Sequence, residues 1–111
     1  MRSLLLLVAV VALLPAEEVQ IFQGGGVEAA ANLPGFIRIR INDQPAASHL
    51  VRVGAISHLL VPRPDRPGDV VTIVVPLAND SLRFVVPTRF QPADDVQAAI
   101  AKAIALGNAA R

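Results

Sequence analysis

Alternation of apolar and polar residues first becomes regular at Phe36. In Phe36-Ile37-Arg38-Ile39-Arg40-Ile41, the isoleucines point one way and Arg38 and Arg40 the other. Period two of this kind predicts a strand with one wet face. Pro34-Gly35 precedes it as a turn, and Asn42-Asp43-Gln44-Pro45 closes it. A second apolar stretch runs Leu50-Val51-Arg52-Val53 and then Ile56 to Val61, with Gly54 between. Glycine there predicts a bulge or bend joining two short strands. Pro62 to Gly68 contains three prolines, which fix φ and remove donors, so an exposed loop is expected.

Asp69 to Leu77 is rich in β-branched residues, with Val71, Ile73, Val75 and Leu77 on one face. Ala78-Asn79-Asp80-Ser81 is a polar turn, and Leu82 to Val86 returns, which predicts an antiparallel hairpin. Pro76 points to an edge position or to a bulge near the end of its arm. After Gln91-Pro92 the period changes to that of a helix. Val96, Ala99, Ile100, Ala103 and Ile104 form one apolar stripe. Asp94 and Asp95 suit the positive end of the helix dipole, and Gly107-Asn108 is the expected stop. Lys102 and Arg111 lie toward the negative end.

The first part of the chain reads differently. Met1-Arg2-Ser3, the unbroken apolar run Leu4 to Leu14, and Pro15-Ala16 follow the order of a secretory signal peptide. The run would be about 16 Å long as a helix, against the roughly 30 Å of a bilayer core. Residues 1–16 are therefore expected to be a signal-peptide-like or membrane-targeting segment; a buried element of the fold is the alternative. Residues 17–34 hold Gly24-Gly25-Gly26 and the alanines 29–31, and are expected to be a Gly/Ala-rich linker. The triple glycine lacks the Gly-Lys-Ser/Thr ending of a phosphate loop.

The expected organisation is one small α+β domain at 35–107 followed by a tail at 108–111. It has an antiparallel sheet of about four strands and one C-terminal amphipathic helix, with the apolar segment ahead of it. A domain this size buries only roughly 60% of its unfolded surface, so a homo-oligomer would add useful burial.

Composition narrows the function classes. The chain has no Cys, Trp or Tyr, which removes disulfides, thiolate zinc sites and a cysteine nucleophile. Its formal charge is +1, and without Arg2 the balance is nine basic to nine acidic, unlike a general polyanion binder. At 53% hydrophobic and 17% charged it is a folding sequence, not a disordered one.

Candidate chemistry is sparse. His49 and His58 could belong to a small metal protein or enzyme, but nothing in their spacing gathers the three or four ligands a metal requires. Ser48-His49 and Ser57-His58 are adjacent pairs, and neighbours on a strand point to opposite faces, so neither pair is expected to meet. Asp94-Asp95 is explained by the dipole. No catalytic, metal or cofactor residue is therefore assigned. Arg38, Arg40, Arg52 and Arg83 all lie on predicted strands; on a shared face they would make a basic stripe for phosphate or an acidic partner. The alternative is an ordinary solvated sheet face. No aromatic residue for stacking is expected on that face, which weighs against single-stranded nucleic acid.

Segment by segment, FIRIRIND, VRVGAISHLLV, VTIVVPLANDSLRFVV and PADDVQAAIAKAI give strand, strand with an Ile56/Leu59 apolar pair, hairpin, and acid-opened helix. In this order, residues 36–106 resemble the small bacterial flagellar and swarming-motility family (FlbD/SwrD type). The resemblance implies a compact α+β module with a motility-linked role. The same pattern is similar, more weakly, to the first half of LytTR-type DNA-binding domains, which implies nucleic acid as a partner. The resulting expectation is a non-enzymatic bacterial protein-interaction module. It would be exported or membrane-associated through residues 1–16, or else cytoplasmic, with a nucleic-acid-binding module as the first alternative.

Overall fold

The computed structural model describes residues 16–44, 47–62 and 69–110. The expected targeting segment therefore lies outside the described residues except for Ala16, as do most of the proline-rich loop and Arg111. The fold is α+β: the described residues form seven strands in two sheets and one C-terminal helix. The strands are β1 (Ala16–Gln20), β2 (Gly26–Ala29), β3 (Phe36–Arg40), β4 (Ser48–Arg52), β5 (His58–Leu60), β6 (Val70–Pro76) and β7 (Ser81–Pro87). Helix α1 spans Ala93–Ala109.

One sheet has the order β1-β7-β6-β5 and the other β2-β3-β4. All pairs are antiparallel except β1 with β7, which is parallel. The expected small α+β fold with its C-terminal helix is what the structure shows; its described strands divide into a four-stranded and a three-stranded sheet, with β1 beside the expected hairpin and β2 beside β3. The extra strands come from residues 17–34, which are not a linker. Val19 and Ile21 alternate with Glu18 and Gln20, and Ile21 is fully buried. The Ile21 amide donates to Val85 O (2.9 Å), and the next amide, Phe22, donates to Ile41 O (2.8 Å). In one step the chain passes from the edge of one sheet to the other.

The triple glycine makes the crossing possible. Gly24 has φ +89°, and a Cβ on Gly25 would overlap the carbonyls of Arg40 and Ile41. Side chains are excluded there by backbone proximity, not by a need for flexibility.

Both sheets place their apolar faces in one core. Val27, Ile37, Ile39 and Val51 come from the three-stranded sheet; Val71, Ile73, Phe84 and Val86 come from the hairpin. Val96 and Ala103 close it from α1. The helical stripe is graded: Ala99 and Ile100 are half-buried, and Ile104 is exposed.

The hairpin β6–β7 forms with Val75 opposite Leu82 and Pro76 opposite Ser81. Strand β6 is central, so Pro76 does not mark an edge; it is the last residue of its strand, beyond the reach of β5, which pairs with Thr72–Val74. Leu77 lies past the strand and is exposed. The bend at Gly54 is a short 3₁₀ turn, Val53–Ala55. The helix does not stop at Gly107-Asn108. Gly107 sits within it, and a Cβ there would come within 3.1 Å of Gly35 Cα. Gly107 lets the helix pack against the Pro34-Gly35 turn.

Candidate interaction surface

The outer face of the three-stranded sheet is a small grid fixed by register. Gly26, Arg40 and Ser48 form one row; Glu28, Arg38 and Leu50 the next; Phe36 and Arg52 the last. Because side chains alternate along strands, these residues share the face opposite the core. Arg38, Arg40 and Arg52 are therefore brought together, as the stripe requires. Arg83 is not. It lies on β7 in the other sheet, opposite Val74 and in parallel register with Glu18. Alternation within a strand fixes relative facing but cannot tell which sheet a strand joins.

Within the grid, Arg40 Nε lies 3.4 Å from Glu28 Oε1. The Nε–H of Arg40 finds no hydrogen-bond acceptor, so the contact is electrostatic. A half-exposed surface pair of this type is worth about 0–1 kcal/mol. Among the described residues, neither Arg38 nor Arg52 has an acidic partner at ion-pair distance. The Arg52 guanidinium instead lies over the Phe36 ring, 5.6 Å from its centroid. An aromatic residue does stand on this face, contrary to the sequence expectation, though Arg52 covers its ring. Leu50, 48% exposed, is the apolar residue of the grid.

A shallow hollow of ≈ 530 Å³ adjoins Phe36 and Arg52, bounded by Val53 and by Ile104 and Gly107 of α1. A second, ≈ 260 Å³, lies between Ile100 and the Ile56–Leu59 segment. Both are open and mainly apolar.

The histidines are separated by the fold. His49 is on β4 and stacks edge-on against Phe84, centroids 5.2 Å apart at 67°. His58 is on β5 of the other sheet. Among the described residues, no three His, Asp or Glu side chains lie together as a ligand set.

Ser57 and His58 do meet, contrary to expectation: His58 Nδ1 and Ser57 Oγ are 2.9 Å apart. Ser57 precedes β5, so strand alternation does not separate them. The Ser57 hydroxyl donates to Val74 O (3.2 Å), which leaves its oxygen to accept from His58 Nδ1–H. In that arrangement the imidazole donates to the hydroxyl instead of activating it, the reverse of a nucleophile–base pair.

The sequence reading missed Gln91. Its side-chain Oε1 accepts from the Val27 amide (2.6 Å), and its Nε2 donates to Val27 O (2.8 Å). The amide group stands in for a neighbouring strand along the outer edge of β2. A lone Gln before a helix-opening Pro gives no sequence signal for this contact.

No helix among the described residues is long and apolar enough to cross a membrane. Comparison with protein-family models, with curated proteins and with solved structures finds no match.

Proposed function

We propose that the chain is a non-enzymatic interaction module that recognises an acidic partner protein through the outer face of its three-stranded sheet. The observation that carries this reading is the convergence of Arg38, Arg40 and Arg52 on one face where, among the described residues of the three strands, Glu28 is the only acid. Arginine at such density favours carboxylate groups by charge and by its planar array of donors. The likeness of residues 36–106 to the motility family supplies the bacterial, motility-linked setting of the proposal, and the apolar order of residues 1–16 supplies export or membrane association.

The test is a titration of the protein with fluorescein-labelled poly-glutamate and, separately, with labelled single-stranded DNA, at several salt concentrations. Poly-glutamate is expected to bind more tightly, and the Arg38→Glu, Arg52→Glu variant to lose about tenfold or more in affinity. Tighter binding of DNA, with affinity falling steeply with salt, would favour the nucleic-acid alternative on the same arginines. The intact mass of the protein from fractionated cells tests export; a chain beginning near Glu17 in the exported fraction is the expected result.

A further inference from the structure

Strand β4 is the open edge of the three-stranded sheet, and its hydrogen-bonding phase can be worked out. Ile41 N donates to Ala47 O (2.8 Å), and Val53 N donates to Gly35 O (2.9 Å). In an antiparallel pair, bonded positions alternate. Residues 47, 49, 51 and 53 therefore bond to β3, and the main-chain groups of Ser48 and Leu50 point outward. Among the described residues, nothing bonds to them on that side. No pairing joins β4 to β5, so the two sheets do not close on each other there.

The side chains beside this edge are specific in character. Leu50 stands exposed at its centre, with Arg38 behind it on β3 and Arg52 one pleat along. An incoming strand would place an apolar residue beside Leu50 and, two residues on, a side chain beside Arg52. A carboxylate suits that second position, and a lysine would meet like charge.

We propose that β4 accepts an extended acidic segment of a partner protein as the fourth strand of this sheet. Main-chain bonds to Ser48 and Leu50 supply affinity, and alternating apolar and acidic side chains supply selectivity. The proposal rests on the reading of the Arg face as the contact surface and adds the mode of contact.

A second copy is a poorer occupant at this edge. Pairing β4 with its own twin would put three arginines from each copy on one continuous face. Its acidic edge strand β1, with Glu17 and Glu18, fits better by charge, but that contact is head-to-tail and would build a ring or filament of copies instead of the closed dimer of a two-fold contact.

The experiment titrates the full ¹⁵N-labelled chain with the octapeptide Thr-Val-Thr-Glu-Thr-Val-Thr-Glu, whose valines and glutamates alternate along one face. Two isomers are run beside it, one N-methylated at every Val and Glu and the other at every Thr. A strand has two hydrogen-bonding edges, and each isomer blocks one. The expected result is that the parent shifts the Ser48 and Leu50 amides, one isomer binds about tenfold or more weakly, and the other is little changed. If both isomers bind like the parent and the arginine variant still weakens them, strand addition is overturned and the Arg-face reading stands. No binding of the octapeptide overturns strand addition, and the poly-glutamate titration then judges the Arg face separately. Shifts at Ser48 and Leu50 that appear on concentrating the protein alone assign the edge to a second copy and overturn the proposal.

Discussion

The two edges of the three-stranded sheet have opposite treatments. At β2 the outward N–H and C=O of Val27 are both bonded by the Gln91 side chain, and α1 packs alongside. At β4 the outward groups of Ser48 and Leu50 meet nothing among the described residues, and the flanking side chains are a leucine and arginines. Exposed edges invite pairing, and proteins commonly blunt them by covering or by charge. This chain uses a side-chain amide to finish one edge and cations to bias the other. The difference separates an edge built for stability from one available for contact.

The largest effect is expected from Gln91→Ala. It leaves two half-buried main-chain groups at Val27 without partners, and should cost about 2–4 kcal/mol in urea unfolding. Gln91→Glu is a sharper version, because a carboxylate can accept from the Val27 amide but has no donor for its carbonyl. It should recover only part of the loss. Val27→Ala, at a core position on the same edge, should cost about 1.5–3 kcal/mol. On the β4 side, Leu50→Ala should change stability by no more than about 0.5 kcal/mol, since its side chain is already half in water. It should nonetheless weaken binding of the valine–glutamate peptide. Smallest of all is Arg38→Glu, expected to be near neutral for stability, with its effect seen in the salt dependence of acidic-probe binding. A large stability loss from Leu50→Ala, or none from Gln91→Ala, would break the contrast.

Much of the fold was legible because its periods are long and clean. The alternation Ile37, Ile39, Ile41 against Arg38 and Arg40 marks β3 and its wet face, and the Val96 to Ile104 spacing marks α1. The short pieces were hidden. Strand β2 offers one buried valine between glycines and alanines, and glycines that serve close backbone approach look the same in sequence as glycines that serve a linker. Gly107 was obscured for the same reason: a helix stop and a packing contact are written with one residue. Of the Arg stripe, the three residues on β3 and β4 were legible by parity. Arg83 was not separable from them, because sheet membership depends on pairings between distant segments. Gln91, 64 residues from Val27, left no local trace.

Native-state amide hydrogen exchange, read at Val27, Ser48 and Leu50, tests the central contrast most directly. The Val27 amide is expected to exchange only with major unfolding, while those of Ser48 and Leu50 exchange rapidly in the free protein and become protected when the acidic peptide is added. Protection of Leu50 equal to that of Val27 in the free protein at low concentration would contradict it, since β4 would then already be covered.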